Sequence, residues 1–155
     1  MAGPPVEIHM SSKIDAPPDV VWAYLVDWEN LDRWMIEGKG FKVSSEHREG
    51  LGVTAEATIR IAGITTPDPV EVTRWEPPET LEISHQGWVA GKGLMVCKPA
   101  PWGTFLFWQE TLYPPLGIPG AIGLRLFKPI MRKVFERDLR LLKQLVEKAR
   151  AEGVQ

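Results

Sequence analysis

A chain of 155 residues, 44% hydrophobic and 25% charged, has the length and composition of one globular domain able to bury a core. Its 18 basic and 20 acidic residues leave a formal charge of −2, which argues against a nucleic-acid binder that works by phosphate attraction. No apolar run approaches the ~20 residues of a spanning helix, the start MAGPPVEIHM lacks the regions of a signal peptide, and a single cysteine, Cys97, excludes an internal disulfide, so a cytoplasmic protein is expected.

Val6 to Ile14 alternates, with Val6, Ile8, Met10, Ser12 and Ile14 on one face and Glu7, His9, Ser11 and Lys13 on the other. That pattern predicts a half-buried strand. Asp15-Ala16-Pro17-Pro18 ends it, and prolines suit the first turn of a helix. One short helix is expected over 19–26 and a second over 28–35, with a kink near Asp27. Trp22, Trp28 and Trp34 recur every six residues across the two, so they cannot share one straight helical face. Two strands follow, over 40–48 and 51–62, joined through Glu49-Gly50 as a hairpin. In the second, Val53, Ala55, Ala57, Ile59 and Ile61 face one way, and its two alanines leave room rather than fill it. Segments 69–75, 80–86, a weaker 94–98 and 102–113 complete the sheet, set off by Pro77-Pro78, Gly91, Gly93, Pro99 and Pro101. Trp75 and Trp88 fall out of phase with the inward set unless a bulge near Gly87 turns Trp88.

The last strand carries large apolar groups on both faces. Thr104, Leu106, Trp108, Glu110 and Leu112 form one set; Phe105, Phe107, Gln109, Thr111 and Tyr113 form the other. After Pro114-Pro115 comes a Gly/Pro-rich connector, LGIPGAIGLRLFKP, and then a helix from about 129 to 152. At about 100° per residue, Met131, Val134, Phe135, Leu139, Leu141, Leu142, Leu145, Val146 and Ala149 make one broad stripe. Asp138 lies in the middle of it. One strand, two short helices, about six hairpin-linked strands and one long helix predict an α+β domain spanning 1–155, its antiparallel sheet receiving the helix on the concave face.

This order, carried by IDAPPDVVWAYLVDWENLDRW (14–34), VTRWEPPETLEI (72–83), GTFLFWQETL (103–112) and LRLLKQLVEKA (139–149), resembles the helix-grip superfamily. That superfamily includes START domains, birch-pollen-type allergens and polyketide cyclase/dehydrase-like proteins; the polyketide cyclase/dehydrase-like branch is the one suspected here. The resemblance implies a curved sheet of about seven strands wrapped around the long helix, two short helices after the first strand, and an apolar cavity between sheet and helix. It supplies no chemistry, because members include enzymes, carriers and partner-binding modules. It does set the phase of the last strand, with Leu106 and Trp108 toward the helix and Phe105 and Phe107 outside. It also places Trp34 at a closing wall of the pocket.

On that phase the cavity is expected to be lined by Trp34, Ala57, Ile59, Ile83, His85, Leu106, Trp108, Glu110, Phe127, Met131, Phe135 and Asp138. Glu110 reads as a polar anchor or as an acid/base group with a raised pKa; the preferred reading is a hydrated or paired carboxylate, with Arg125 as its partner. Asp138 reads as a second cavity carboxylate or as a structural group bonded to the opening strand or the short helices, where Ser12 could serve. His85 shares a face with Leu81 and Ile83 and reads first as a satisfied core histidine, second as a ligand contact. His9, His47 and His85 show no metal-ligand spacing, so neither metal nor cofactor is expected. Outward phenylalanines at 105 and 107 are unusual beside similar proteins and suggest either a homodimer through the convex face or cover by the N-terminal segment. The connector, with Arg125, Lys128, Arg132 and Lys133 nearby, reads as a glycine-rich hinge packed on the cavity mouth in preference to a gate over the pocket or a shallow lipid contact. Three functions compete: a binder of a hydrophobic small molecule such as a lipid, isoprenoid or aromatic polyketide; a cyclase/dehydrase-like enzyme using Glu110, Asp138 or His85; and a partner-binding module acting through Phe105 and Phe107.

Overall fold

The computed structural model describes residues 3–153. Strand β1 (Val6–Ile14) leads into helix α1 (Pro18–Leu25) and a 3₁₀ helix over Trp28–Arg33; β2 (Gly38–Val43), β3 (Thr54–Ile61), β4 (Ile64–Glu76), β5 (Thr80–His85), β6 (Ala90–Ala100) and β7 (Gly103–Tyr113) follow, and α2 (Gly117–Ala151) closes the chain. The seven strands form one antiparallel sheet in the order β1-β7-β6-β5-β4-β3-β2. This is the α+β helix-grip fold, a curved sheet around a long C-terminal helix.

Alternation decides which side of each strand is buried. Val6, Ile8, Met10 and Ile14 of β1 are enclosed, as are Thr104, Leu106, Trp108, Glu110 and Leu112 of β7. On α2 the i, i+3/i+4 spacing buries Met131, Phe135, Leu139, Leu142 and Val146 against that face. Full burial of one such aliphatic side chain is worth about 1.5–3 kcal/mol. Gly103 and Thr104 dock the α1 junction: a Cβ at Gly103 would stand 2.3 Å from the Ile14 carbonyl, and Thr104 Oγ1 donates to the Ala16 carbonyl at 2.7 Å.

The C-terminal half of α2 is tied to the same junction by charge. The Asp15 N–H donates to Glu147 Oε2 at 2.9 Å, Lys143 donates to Glu147 at 2.7 Å, and Arg150 donates to the Asp15 carbonyl at 2.7 Å and its carboxylate at 3.0 Å. The amphipathic pattern and these pairs fix where the helix lies.

Four sequence expectations are corrected. The tight hairpin at Glu49-Gly50 is instead a long loop over 44–53, in which Gly50 and Gly52 take positive φ (98° and 81°); it is anchored by the Trp28 indole N–H donating to the Arg48 carbonyl at 2.9 Å. The strand expected over 69–75 begins at Ile64, so Asp68 lies inside it. A register shift between Val72 and Arg74 re-aims Trp75, which packs against Trp22 at 5.2 Å and Trp28 at 6.5 Å between ring centroids. Finally, most of the connector expected before residue 129 is helical from Gly117. Pro119 falls in the first turn, where no N–H is needed. Pro129 lies inside the helix but on its exposed side, where water can satisfy the Arg125 carbonyl that loses its partner.

Candidate functional site

Between the sheet and the N-terminal half of α2 lies a cavity of about 260 Å³. Leu124, Phe127, Met131 and Phe135 of α2 form its roof; Trp28, Leu31, Trp34 and Met35 close one end; Ile59, Val70, Leu81, Ile83, Met95, Trp108 and Leu112 form the sheet wall. The volume falls between the ~150 Å³ that accommodates one benzene ring and the ~300–1,000 Å³ usual for drug-sized ligands. It suits a guest of about bicyclic size.

Two polar clusters interrupt this apolar wall. The first is built on β4, β5 and β7, with β6 lying between the last two. His85 of β5 is held between Asp68 of β4, whose Oδ2 lies 2.8 Å from Nδ1, and Glu110 of β7, whose Oε2 lies 3.5 Å from Nε2. The Trp108 indole N–H donates to Glu110 Oε1 at 2.7 Å, and the Gly87 N–H donates to Asp68 Oδ1 at 3.1 Å. Burial alone would push the imidazole pKa down. The Glu110 charge, the hydrogen bonds to Asp68 and Glu110, and the Asp68 charge outweigh it and hold His85 up at about 10. The ring is therefore an imidazolium at neutral pH, donating from Nδ1 to Asp68 and ion-paired through Nε2 with Glu110. Gly93 of β6 makes room for this: a Cβ there would stand 2.6 Å from Glu110 Oε1 and 3.4 Å from His85 Nε2.

The second cluster joins the segment after the 3₁₀ helix to α2. Asp138 is fully enclosed. Its Oδ1 accepts from the Ile36 N–H at 3.4 Å and lies 3.7 Å from Arg137 Nη2, which is also 4.0 Å from Glu37 Oε2. Burial, then the adjacent Glu37 carboxyl, pushes Asp138 up to about 10 against the pull of the Ile36 N–H and Arg137. Asp138 therefore carries a proton at neutral pH. Glu37 faces the cavity. The proton on Asp138 bonds it to the Glu37 carboxyl, and Arg137 Nε and Trp34 Nε1 are buried without a hydrogen-bond partner among the described residues.

Of the residues singled out from sequence, Trp34, Ile59, Ile83, His85, Trp108, Glu110, Phe127, Met131 and Phe135 line this cavity. Three do not. Leu106 is enclosed in the core between Ser12 and Cys97 on the flanking strands. Ala57 is buried opposite Asp68, and the wall there is formed by Asp68. Asp138 lies behind Glu37, which takes the cavity position, and its partner is the Ile36 N–H rather than Ser12. Glu110 pairs with His85 and Trp108 rather than with Arg125, which is exposed.

Asp68 and Glu37 were missed. Asp68 stood in TTPDPV, where two prolines read as a strand boundary; extending the phase of Val70 and Val72 back by one step would have placed it inward. Glu37 stood between the short helix expected over 28–35 and the strand expected from 40, and carried no comparable signal. On the outer face Phe105 and Phe107 stack at 4.5 Å, Trp102 lies 6.3 Å from Phe105, and Lys13 and Lys98 lie over Trp102 and Phe107. Among the described residues the N-terminal segment does not cover this stack: the Gly3 N–H donates to the Pro114 carbonyl, beyond the far end of β7.

The sequence profile of the family described as polyketide cyclase/dehydrase and lipid transport matches residues 5–147. An uncharacterized protein of Mycobacterium tuberculosis is 26% identical over 119 residues, covering 77% of this chain and 73% of that one. Among solved structures, a Streptomyces aromatase/cyclase superposes with a TM-score of 0.81 at 14% identity, covering 97% of this chain and 99% of its own. A START superfamily protein from Mycobacterium smegmatis superposes with a TM-score of 0.76 at 17% identity, covering 92% and 97%. At such identities the structural likeness speaks for the fold.

Proposed function

The chain belongs to the polyketide cyclase/dehydrase and lipid transport family, and from that premise we propose that it binds a small hydrophobic molecule carrying a hydroxyl or carbonyl group in the cavity under α2. The observation that carries this is the contrast within the cavity wall. It is apolar almost throughout, yet Trp34, one of the lining residues, has a buried indole N–H with no hydrogen-bond partner among the described residues. A buried polar group left unsatisfied costs about 1–3 kcal/mol, and a guest with one oxygen can relieve it. The volume favours an aromatic polyketide-like or short isoprenoid-like compound over a full-length lipid.

The first test is native mass spectrometry of freshly purified protein, with solvent extraction of anything retained, followed by titration with 2-naphthol read through the cavity tryptophans. A retained oxygen-bearing apolar compound, or saturable quenching by 2-naphthol, is the expected result. An empty mass together with no response to the probe overturns the reading.

The Asp68–His85–Glu110 arrangement favours a second reading, an enzyme similar to cyclases. Here Glu110, oriented by the His85 imidazolium and the Trp108 N–H, takes a proton from a carbon beside a substrate carbonyl. That carbon bonds to a second carbonyl carbon of the same chain, held close by the apolar wall, and Glu110 returns the proton to the alkoxide so formed. Glu110→Gln separates the two. A binder of a neutral guest keeps its affinity within a few-fold, whereas an enzyme of this kind loses about 10²–10⁴-fold in turnover.

A further inference from the structure

The N-terminal half of α2 is apolar on a side that no described residue covers. Ile118, Ile122, Leu126 and Ile130 follow at intervals of four and are all exposed, Ile118 by 70% and Leu126 by 77%. Leu116, just before the helix, is 76% exposed. At about 100° per residue the stripe continues through Val134 into Phe127, Met131 and Leu124, the residues that roof the cavity. This half of the helix is therefore apolar over most of its circumference. Such a helix is normally buried on all sides, and here only the inner side is.

Charge indicates what lies against the outer side. From Gly117 to Phe135 the helix contains no acidic residue, while Arg125, Lys128, Arg132 and Lys133 are all cationic. Arg132 is paired, with Glu136 at 3.1 Å; Arg125 and Lys133 are exposed and Lys128 half-buried, and among the described residues these three take part in no ion pair. Arg125, Lys128 and Arg132 project along one border of the stripe, with Lys133 beyond its last turn. In a chain of net charge −2 this local run of cations is out of character. It matches a surface that is apolar a few ångströms down and negative at its boundary. Leu116 to Ile130 spans about 20 Å along the helix, while no helix among the described residues is long and apolar enough to cross a membrane. The segment fits a helix lying in the plane of a lipid surface. Two other rim residues are also exposed, Ile64 at the β3–β4 turn and Trp88 between β5 and β6; an indole is well suited to the headgroup boundary.

We propose that the outer face of residues 116–130 docks on an anionic lipid bilayer, which sets the roof of the cavity against the membrane so that an apolar guest can pass between them. The docking does not depend on which guest the cavity holds.

The test is sedimentation of the full chain with two kinds of vesicle, phosphatidylcholine alone and an equal mixture of phosphatidylcholine and phosphatidylglycerol. Binding is expected to the mixed vesicles and to weaken as salt is raised. The double variant Ile122→Glu/Leu126→Glu is expected to stay in the supernatant. Both side chains are exposed, and an unchanged thermal transition and unchanged 2-naphthol quenching verify that it folds. Arg125→Gln/Lys128→Gln is expected to bind about five-fold more weakly for each cation removed. Failure of the wild type to sediment with the mixed vesicles overturns the proposal, as does equal binding to both vesicle types or undiminished binding by the double glutamate variant. A wild-type dimer that the double variant abolishes, with no vesicle binding, assigns the stripe to a second copy of the chain instead.

Discussion

The two polar clusters in the cavity wall are built from the same kinds of group and reach opposite states. Around His85, two carboxylates enclose one imidazole, and both ring nitrogens are engaged. Each carboxylate has a further donor, from Gly87 or Trp108. Around Asp138, two carboxyl groups share one proton and one arginine at 3.7 and 4.0 Å, and Arg137 Nε and Trp34 Nε1 are buried without a hydrogen-bond partner among the described residues. The first cluster is a charged structure that is already complete. The second keeps a proton and has hydrogen-bonding capacity to spare. A polar network stabilises and orients when every member is satisfied; an incomplete one lowers stability until something completes it. The difference teaches that charge in a cavity wall does not by itself mark where a guest binds. Unused hydrogen-bonding capacity is the better guide.

The largest effect should come from breaking the complete cluster. His85→Leu leaves Asp68 and Glu110 facing each other with the intervening cation gone, and loss of one member of a buried ionic set costs about 3–5 kcal/mol. A urea titration near pH 7 measures it as a lower midpoint with unchanged slope. Asp138→Asn, at the incomplete cluster, is expected to leave stability at that pH unchanged or higher, because an amide imitates the protonated carboxyl without needing a proton. Equal losses in the two variants would abolish the distinction between the clusters.

The pH dependence sharpens the contrast. Asp138 has its folded-state pKa raised to about 10 from an ordinary value of 3.8, so the folded chain holds a proton that the unfolded chain releases. The stability this contributes is complete below about pH 4 and is lost as pH rises toward 10. His85, raised to about 10 from 6.5, acts with the same sign, but its contribution is complete below about pH 6.5 and is lost only above that. Each group contributes a slope of up to ~1.4 kcal/mol per pH unit inside its own window. Between pH 5 and 6 the wild type is therefore expected to weaken with rising pH through Asp138 and not through His85. Asp138→Asn should flatten that interval and His85→Leu should not. Urea midpoints collected at half-unit steps read the outcome directly.

How much of this was legible in the sequence follows from what each feature depends on. The strands and the C-terminal half of α2 were legible because a period of two or of 3.6 is a local property, whereas the phase of Trp108 and Glu110, on a strand apolar on both faces, came from the resemblance to the helix-grip superfamily. Trp75 was misread because a bulge changes phase without any signature residue. The helical connector was misread because Gly and Pro were taken as breakers, whereas Pro119 sits where no donor is required. The pairing of His85 with Asp68 depended on where β4 begins, and a proline on either side of Asp68 concealed it. Glu37 meets Asp138 across 101 positions of sequence, a contact set by tertiary packing and not by any periodicity.

The smallest expected effect is the one that bears most directly on the guest. Trp34 is 1% exposed, packs edge-on to Trp108 at 6.3 Å between centroids, and has a buried indole N–H without a partner among the described residues. Trp34→Phe keeps an aromatic ring against Trp108 and deletes the donor. The variant loses no existing hydrogen bond, so its stability changes only through the smaller ring. If a guest's oxygen accepts from that N–H, one hydrogen bond of about 1 kcal/mol is lost on binding, and 2-naphthol should bind about five-fold more weakly. Naphthalene, with the same ring system and no oxygen, should be affected only by the extra space. The ratio of the two affinities, measured by quenching of the remaining tryptophans, isolates the donor from the change in shape. A ratio that Trp34→Phe leaves unmoved would assign the guest's oxygen to Glu37 or to the completed cluster at Glu110, and would break the rule drawn from comparing the two.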